Sequence, residues 1–142
     1  MTEFEVEFPI VGTTRFAFVG GRSRQLTVAD TYLSPLYDAL FGAASRLGIH
    51  PTHLPQLMRW WSEQSGPYSV EGGAWAFSPD DGLLEIVRHL RVEGVLNHYD
   101  LSKVISADGG PARPMTEFLA EFERFIELAA QEARQIEIEE LP

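Results

Sequence analysis

The chain holds 142 residues, with 11 Lys plus Arg against 21 Asp plus Glu, 4 His and no Cys. That length suits a single domain spanning 1–142, and 44% hydrophobic with 11% aromatic residues can build a real core, so wholesale disorder is excluded. Without Cys there is no disulfide, thiol nucleophile or Cys-ligated zinc, and a net charge of −10 argues against nucleic acid, whose binders meet phosphate with cations.

The first twenty residues, MTEFEVEFPIVGTTRFAFVG, carry three glutamates within the first seven. A secretory leader needs a basic start and an unbroken apolar run, and no window approaches the roughly 18 apolar residues of a membrane span. The expectation is a cytoplasmic protein that does not enter a membrane. Phe4, Val6, Phe8 and Ile10 alternate with Glu3, Glu5 and Glu7, which predicts a half-buried strand. Pro9 cannot donate to a ladder, so this strand belongs at an edge or stops there. Arg15 to Val19 predicts a second strand through Phe16 and Phe18. After Gly20-Gly21, residues 23–29 predict a third. Short turns between them suggest an antiparallel meander.

Ser34-Pro35 reads as a helix start, because Ser caps well and Pro needs no donor at the first helical position. Leu33, Leu36, Tyr37, Leu40, Phe41, Ala44 and Leu47 recur at spacings of three and four, and Gly48 suits a left-handed cap. Residues 49–66 allow a short helix at about 54 to 64, with a strand carrying Trp60 and Trp61 as the competitor. Tyr68 to Val70, Ala74 to Ser78 and Leu83 to Leu90 predict strands, with Pro79-Asp80-Asp81-Gly82 as a hairpin turn. A further strand is placed at 95–99 or 101–106. Asp108-Gly109-Gly110-Pro111 is a loop. Pro114 opens a long final helix with Met115, Phe118, Leu119, Phe122, Ile126, Ala129 and Ala133 on one side. Ile136 to Glu139 alternates again, as a short strand or a frayed tail. The sum is an α+β domain: an antiparallel sheet of about five to seven strands, with two long helices and at most one short helix packed on it.

Charge is unevenly placed. Glu3, Glu5 and Glu7 precede any base, and residues 117–142 hold eight glutamates against Arg124 and Arg134. If the chain ends meet, these carboxylates form an acidic surface for a basic partner. Glu3, Glu5 and Glu7 share one strand face and repel one another unless Arg15, Arg22 or Arg24 answers them from a neighbouring strand. Trp60, Trp61, Tyr68 and Trp75 crowd a short stretch. Adjacent tryptophans cannot easily both face one core, so one of Trp60 and Trp61 is a candidate surface anchor.

Catalytic hardware is sparse. His50 and His53 have the spacing of a metal pair, with Glu63 or Glu71 as a third ligand, but lack the glutamate of an H-E-x-x-H helix and read better as ordinary histidines. His89 and His98, with Glu85 and Arg88, form an alternative pocket for acid–base work. Nothing local supplies a nucleophile, since Ser65 and Ser102 lie outside any G-x-S-x-G elbow. The glycine pairs at 20–21, 72–73 and 109–110 make no phosphate loop. No metal or cofactor is expected, and the sequence leaves the oligomeric state open.

Two functions result. The first is a non-enzymatic protein-binding module of the immunity, inhibitor or adaptor kind, holding a basic protein through Glu3, Glu5, Glu7, Trp60, Trp61, Glu121 and Glu127. The second is a small enzyme or ligand-binding domain using Glu85, Arg88, His89 and His98.

Overall fold

Phe4 and Phe8 are buried and Glu5 and Glu7 exposed, as the alternation requires, in strand β1 (Phe4–Phe8). The computed structural model describes residues 4–10, 15–20, 24–49, 75–77, 82–101, 103–132 and 136–141. Glu3, the histidine pair at 50 and 53, Trp60 and Trp61, the short helix at 54–64 and the strand at 68–70 lie outside these residues.

Strands β2 (Arg15–Val19) and β3 (Arg24–Ala29) pair antiparallel, with Phe16 opposite Val28 and Phe18 opposite Leu26. The expected meander stops there. β1 pairs with β3, not β2, and runs parallel to it from Phe4 opposite Arg24 to Phe8 opposite Val28. The pattern gives the reason. β3 buries Leu26, Thr27, Val28 and Ala29 and so belongs inside the sheet, whereas β1 carries charge on one face and tolerates an edge. The tail forms β5 (Ile136–Leu141), antiparallel to β2, and β4 (Trp75–Phe77) adds outside β5. The order is β1-β3-β2-β5-β4, a mixed sheet. The expected wholly antiparallel sheet of five to seven strands is therefore corrected: one of the four pairings among the described residues is parallel.

Helix α1 (Asp30–Leu47) starts directly after β3, four residues before Ser34. Pro35 lies inside it, where its missing N–H leaves the Thr31 carbonyl without the usual helical donor. Extending the helix backward buries Tyr32 and Leu33 beside Leu36, Tyr37 and Leu40. Two large side chains contribute about 2 kcal/mol each, enough to offset the roughly 3 kcal/mol cost of an interior proline. Gly48 caps the C-terminus at φ 68°, its N–H donating to the Ala44 carbonyl, as the sequence predicts.

The strand predicted over 83–90 is instead helix α2 (Leu83–Glu93). Leu83, Ile86, Val87 and Leu90 are its buried residues, and spacings of three, one and three are helical. β-branched Ile86 and Val87 suggest a strand locally, but packing of this apolar stripe overrides propensity. Among the described residues no strand follows at 95–99 or 101–106. Turns occupy 94–98, and an isolated bridge joins Ile105 to Pro111. Helix α3 (Met115–Gln131) buries Met115, Phe118, Leu119, Phe122, Ile126 and Ala129 as expected, and also Phe125 and Glu123.

α3 covers one face of the sheet, termed the inner face. Phe118, Phe122 and Phe125 meet Phe8, Phe18 and Phe4 at ring-centroid distances of 5.4, 5.6 and 5.7 Å. Tyr32 of α1 joins at 5.5 Å from Phe8 and 5.3 Å from Phe118, and its hydroxyl donates to the Arg113 carbonyl at 2.7 Å. Burial pushes this phenol up to about 12, against the pull of the Arg113 guanidinium. A Cβ on Gly20 would stand 3.1 Å from Phe125 Cζ, so the glycine after β2 lets α3 approach the sheet.

Candidate protein-interaction surface

The sheet register decides where the carboxylates go. Glu5 stands opposite Gln25, Gln25 opposite Val19, and Val19 opposite Glu137. The next row on this face runs Glu7, Thr27, Ala17 and then the backbone position of Glu139. Phe4, Phe8, Phe18, Ile136 and Ile138 point the other way into the core. The N- and C-terminal strands thus bring Glu5, Glu7 and Glu137 onto one outer face, where all three are exposed. Three strand spacings separate Glu5 from Glu137, about 14 Å. The middle of the face is closed, with Ala17 at 0% exposure and Thr27 at 7%, so the accessible charge lies toward its margins.

Glu5, Val6, Glu7, Gln25 and Thr27 line an open groove of about 140 Å³. Neither Glu5 nor Glu7 pairs with a cation among the described residues. Of the bases expected to answer them, Arg24 and Arg15 do not among the described residues. Arg24 lies on the inner face, 3% exposed, donating to the Leu128 carbonyl at 2.9 Å and to the Glu132 carboxylate. There it holds the C-terminal end of α3, where carbonyls and a carboxylate both favour a cation. Arg15 is exposed on the outer face and makes no ion pair among the described residues, and Arg22 lies outside them.

On its helix side β1 is bracketed by two guanidiniums. Arg113 stacks 4.1 Å over the Phe8 ring and donates to the Glu7 carbonyl at 3.1 Å, while Arg124 stands 5.7 Å over the Phe4 ring. Glu117, Glu121 and Arg124 recur at four and three along α3 and so share this flank. Glu121 is half-buried, and its Oε2 is hidden from solvent with no hydrogen-bond partner among the described residues. Glu127 is turned elsewhere, 3.3 Å from Arg88 of α2. The two ends of the chain thus share charge through β1 and β5. From the final helix, the sequence-selected Glu121 borders β1, whereas Glu127 serves α2.

The alternative pocket residues do not converge. Arg88 Nε donates to Glu123 at 3.2 Å. His89 Nδ1 lies 3.8 Å from Glu93 of its own helix, and Arg46 of α1 bonds Glu93 at 2.7 Å. Glu85 is exposed on α2. His98 is exposed beyond it, with its ring 4.6 Å from Tyr99. No group of three metal-ligating side chains occurs among the described residues, and none of their helices is long and apolar enough to cross a membrane.

Sequence reasoning missed the anchors that fix this frame. Glu123, with its side chain only 10% exposed, accepts from both Arg88 and Arg91 and locks α2 to α3. Arg88 and Arg91 are three apart, a signal visible once 83–93 is read as helical. Arg113 gave no signal, because its contacts with Phe8 and Glu7 are more than a hundred residues away in the chain. Comparison with protein-family models, with curated proteins and with solved structures returned no match, so the functional argument rests on this geometry.

Proposed function

We propose that this chain is a cytoplasmic, non-enzymatic protein-binding module that holds a basic protein against its acidic β1 margin, in the manner of an immunity, inhibitor or adaptor protein. The observation that carries this reading is the pair Glu5 and Glu7: exposed, on one face of an edge strand, beside an open groove, and without a cation among the described residues. Carboxylates lacking internal counter-ions attract an external one and speed encounter through the field of a chain at −10. Glu137 on the same face adds to that field.

The test is affinity capture from the host at low and moderate salt, with two double variants compared. Glu5→Lys with Glu7→Lys reverses the margin. Glu85→Lys with Asp108→Lys makes the same change in net charge at other exposed positions. A partner held by the wild type and by the second variant, but lost by the first, supports the reading. It fails if no partner is retained at low salt, where surface charge acts over the longest range, or if both variants lose it equally.

A further inference from the structure

We propose that β1 is a strand-addition edge that takes an extended segment of the basic partner, with Lys or Arg at alternate positions, as a sixth strand of the sheet. This inference rests on the acidic-margin reading above and adds the geometry of binding to it. Among the described residues β1 pairs with β3 alone, and its five-residue parallel ladder leaves the other edge without a strand. An open edge is a row of backbone donors and acceptors ready for another chain.

The molecule shows what this edge accepts. The Glu7 carbonyl already takes an N–H from the guanidinium of Arg113, a donor arriving from outside the sheet. A carbonyl oxygen accepts two hydrogen bonds, so Arg113 does not close the position. Side-chain spacing supplies the selectivity. Glu5 and Glu7 are two residues apart on the outer face, the spacing at which an added strand presents alternate side chains. Directly opposed side chains lie about 5 Å apart, and opposite charges there attract while like charges repel. A second copy of β1 would set glutamate against glutamate, so the edge rejects self-pairing and admits a cationic strand. Arg113 and Arg124 stack on the Phe8 and Phe4 rings, on the opposite face of β1 from the Glu5 and Glu7 side chains that an incoming lysine would meet.

The test uses the full chain and short labelled peptides. One alternates lysine with valine. A second has the same composition and is N-methylated at every second amide, in each of the two registers. A third replaces lysine with glutamate. Fluorescence anisotropy measures binding, and hydrogen exchange reads the β1 amides. The expected result is binding of the unmodified lysine peptide with slowed exchange in β1. Affinity falls about tenfold in the Glu5→Gln/Glu7→Gln protein. The peptide methylated on the amides that face β1 does not bind, the one methylated on the opposite set does, and the glutamate peptide does not. If the methylated lysine peptides bind as tightly as the unmodified one, strand addition is overturned while the acidic margin stands. If no lysine peptide distinguishes the wild type from the Glu5→Gln/Glu7→Gln protein, both fall.

Discussion

On the helix side of the sheet, Arg24, Arg88 and Arg91 each meet a carboxylate, at Glu132 or Glu123, in surroundings partly closed to water. At the β1 margin, Glu5 and Glu7 face solvent and meet no cation among the described residues. The first arrangement fixes elements against one another, since losing one member of a partly buried pair strands the other. The second does little for the isolated fold, since exposed charges contribute near zero to stability. Charge answered inside the molecule is structural. Charge left unanswered on a rigid strand is available to something else.

That contrast can be broken from the structural side first. Arg24→Met should cost about 3 kcal/mol in urea denaturation, because it leaves Glu132 and the Leu128 carbonyl without their donor. A loss below about 0.5 kcal/mol would make Arg24 a surface residue in energetic terms. Glu123→Gln should cost about 2 kcal/mol, with Arg88 and Arg91 losing their shared counter-ion. The same measurement checks it, and α2 and α3 should show faster amide exchange.

Tyr32→Phe should cost about 1 kcal/mol by removing the hydrogen bond to the Arg113 carbonyl. It also changes the alkaline response. A phenol whose folded value is raised from 10.0 to about 12 binds its proton more tightly folded than unfolded. Its stabilisation is therefore complete below pH 10 and is lost as pH rises through 12. Burial raises the Tyr37 phenol as well, so Tyr32→Phe should flatten the alkaline fall in stability without abolishing it. An unchanged slope would contradict the burial argument for Tyr32.

The smallest effect on folding belongs to the margin. Glu5→Gln with Glu7→Gln should move the urea midpoint by the equivalent of less than about 0.5 kcal/mol. A larger loss would mean that these carboxylates serve the fold, and the contrast between the two sides would disappear.

Elements whose apolar pattern was unambiguous are legible in the sequence. β1, β2, β3 and the apolar face of α3 follow from periods of two and of three to four. α2 was not legible, because Leu84, Ile86 and Leu90 also satisfy a period of two. Only packing of Leu83, Ile86, Val87 and Leu90 against the other helices decides between the periods. At the candidate site, Glu5 and Glu7 on one exposed strand face were legible. The position of Arg24 was not: alternation gives its face only once the pairing of β3 is known, and that pairing sends it away from the glutamates toward α3.

Alternation by itself determined that one face of β1 is charged and the other buried, since successive side chains on a strand must point to opposite sides. It also determined that the chain ends carry most of the acid. Tertiary structure alone decided that β1 lies at an edge parallel to β3, that the tail enters between β2 and β4, and that Glu137 consequently joins Glu5 and Glu7 on one face. Local sequence cannot encode those outcomes, because strand order is set by which strands can bury both faces and by contacts between residues more than a hundred positions apart.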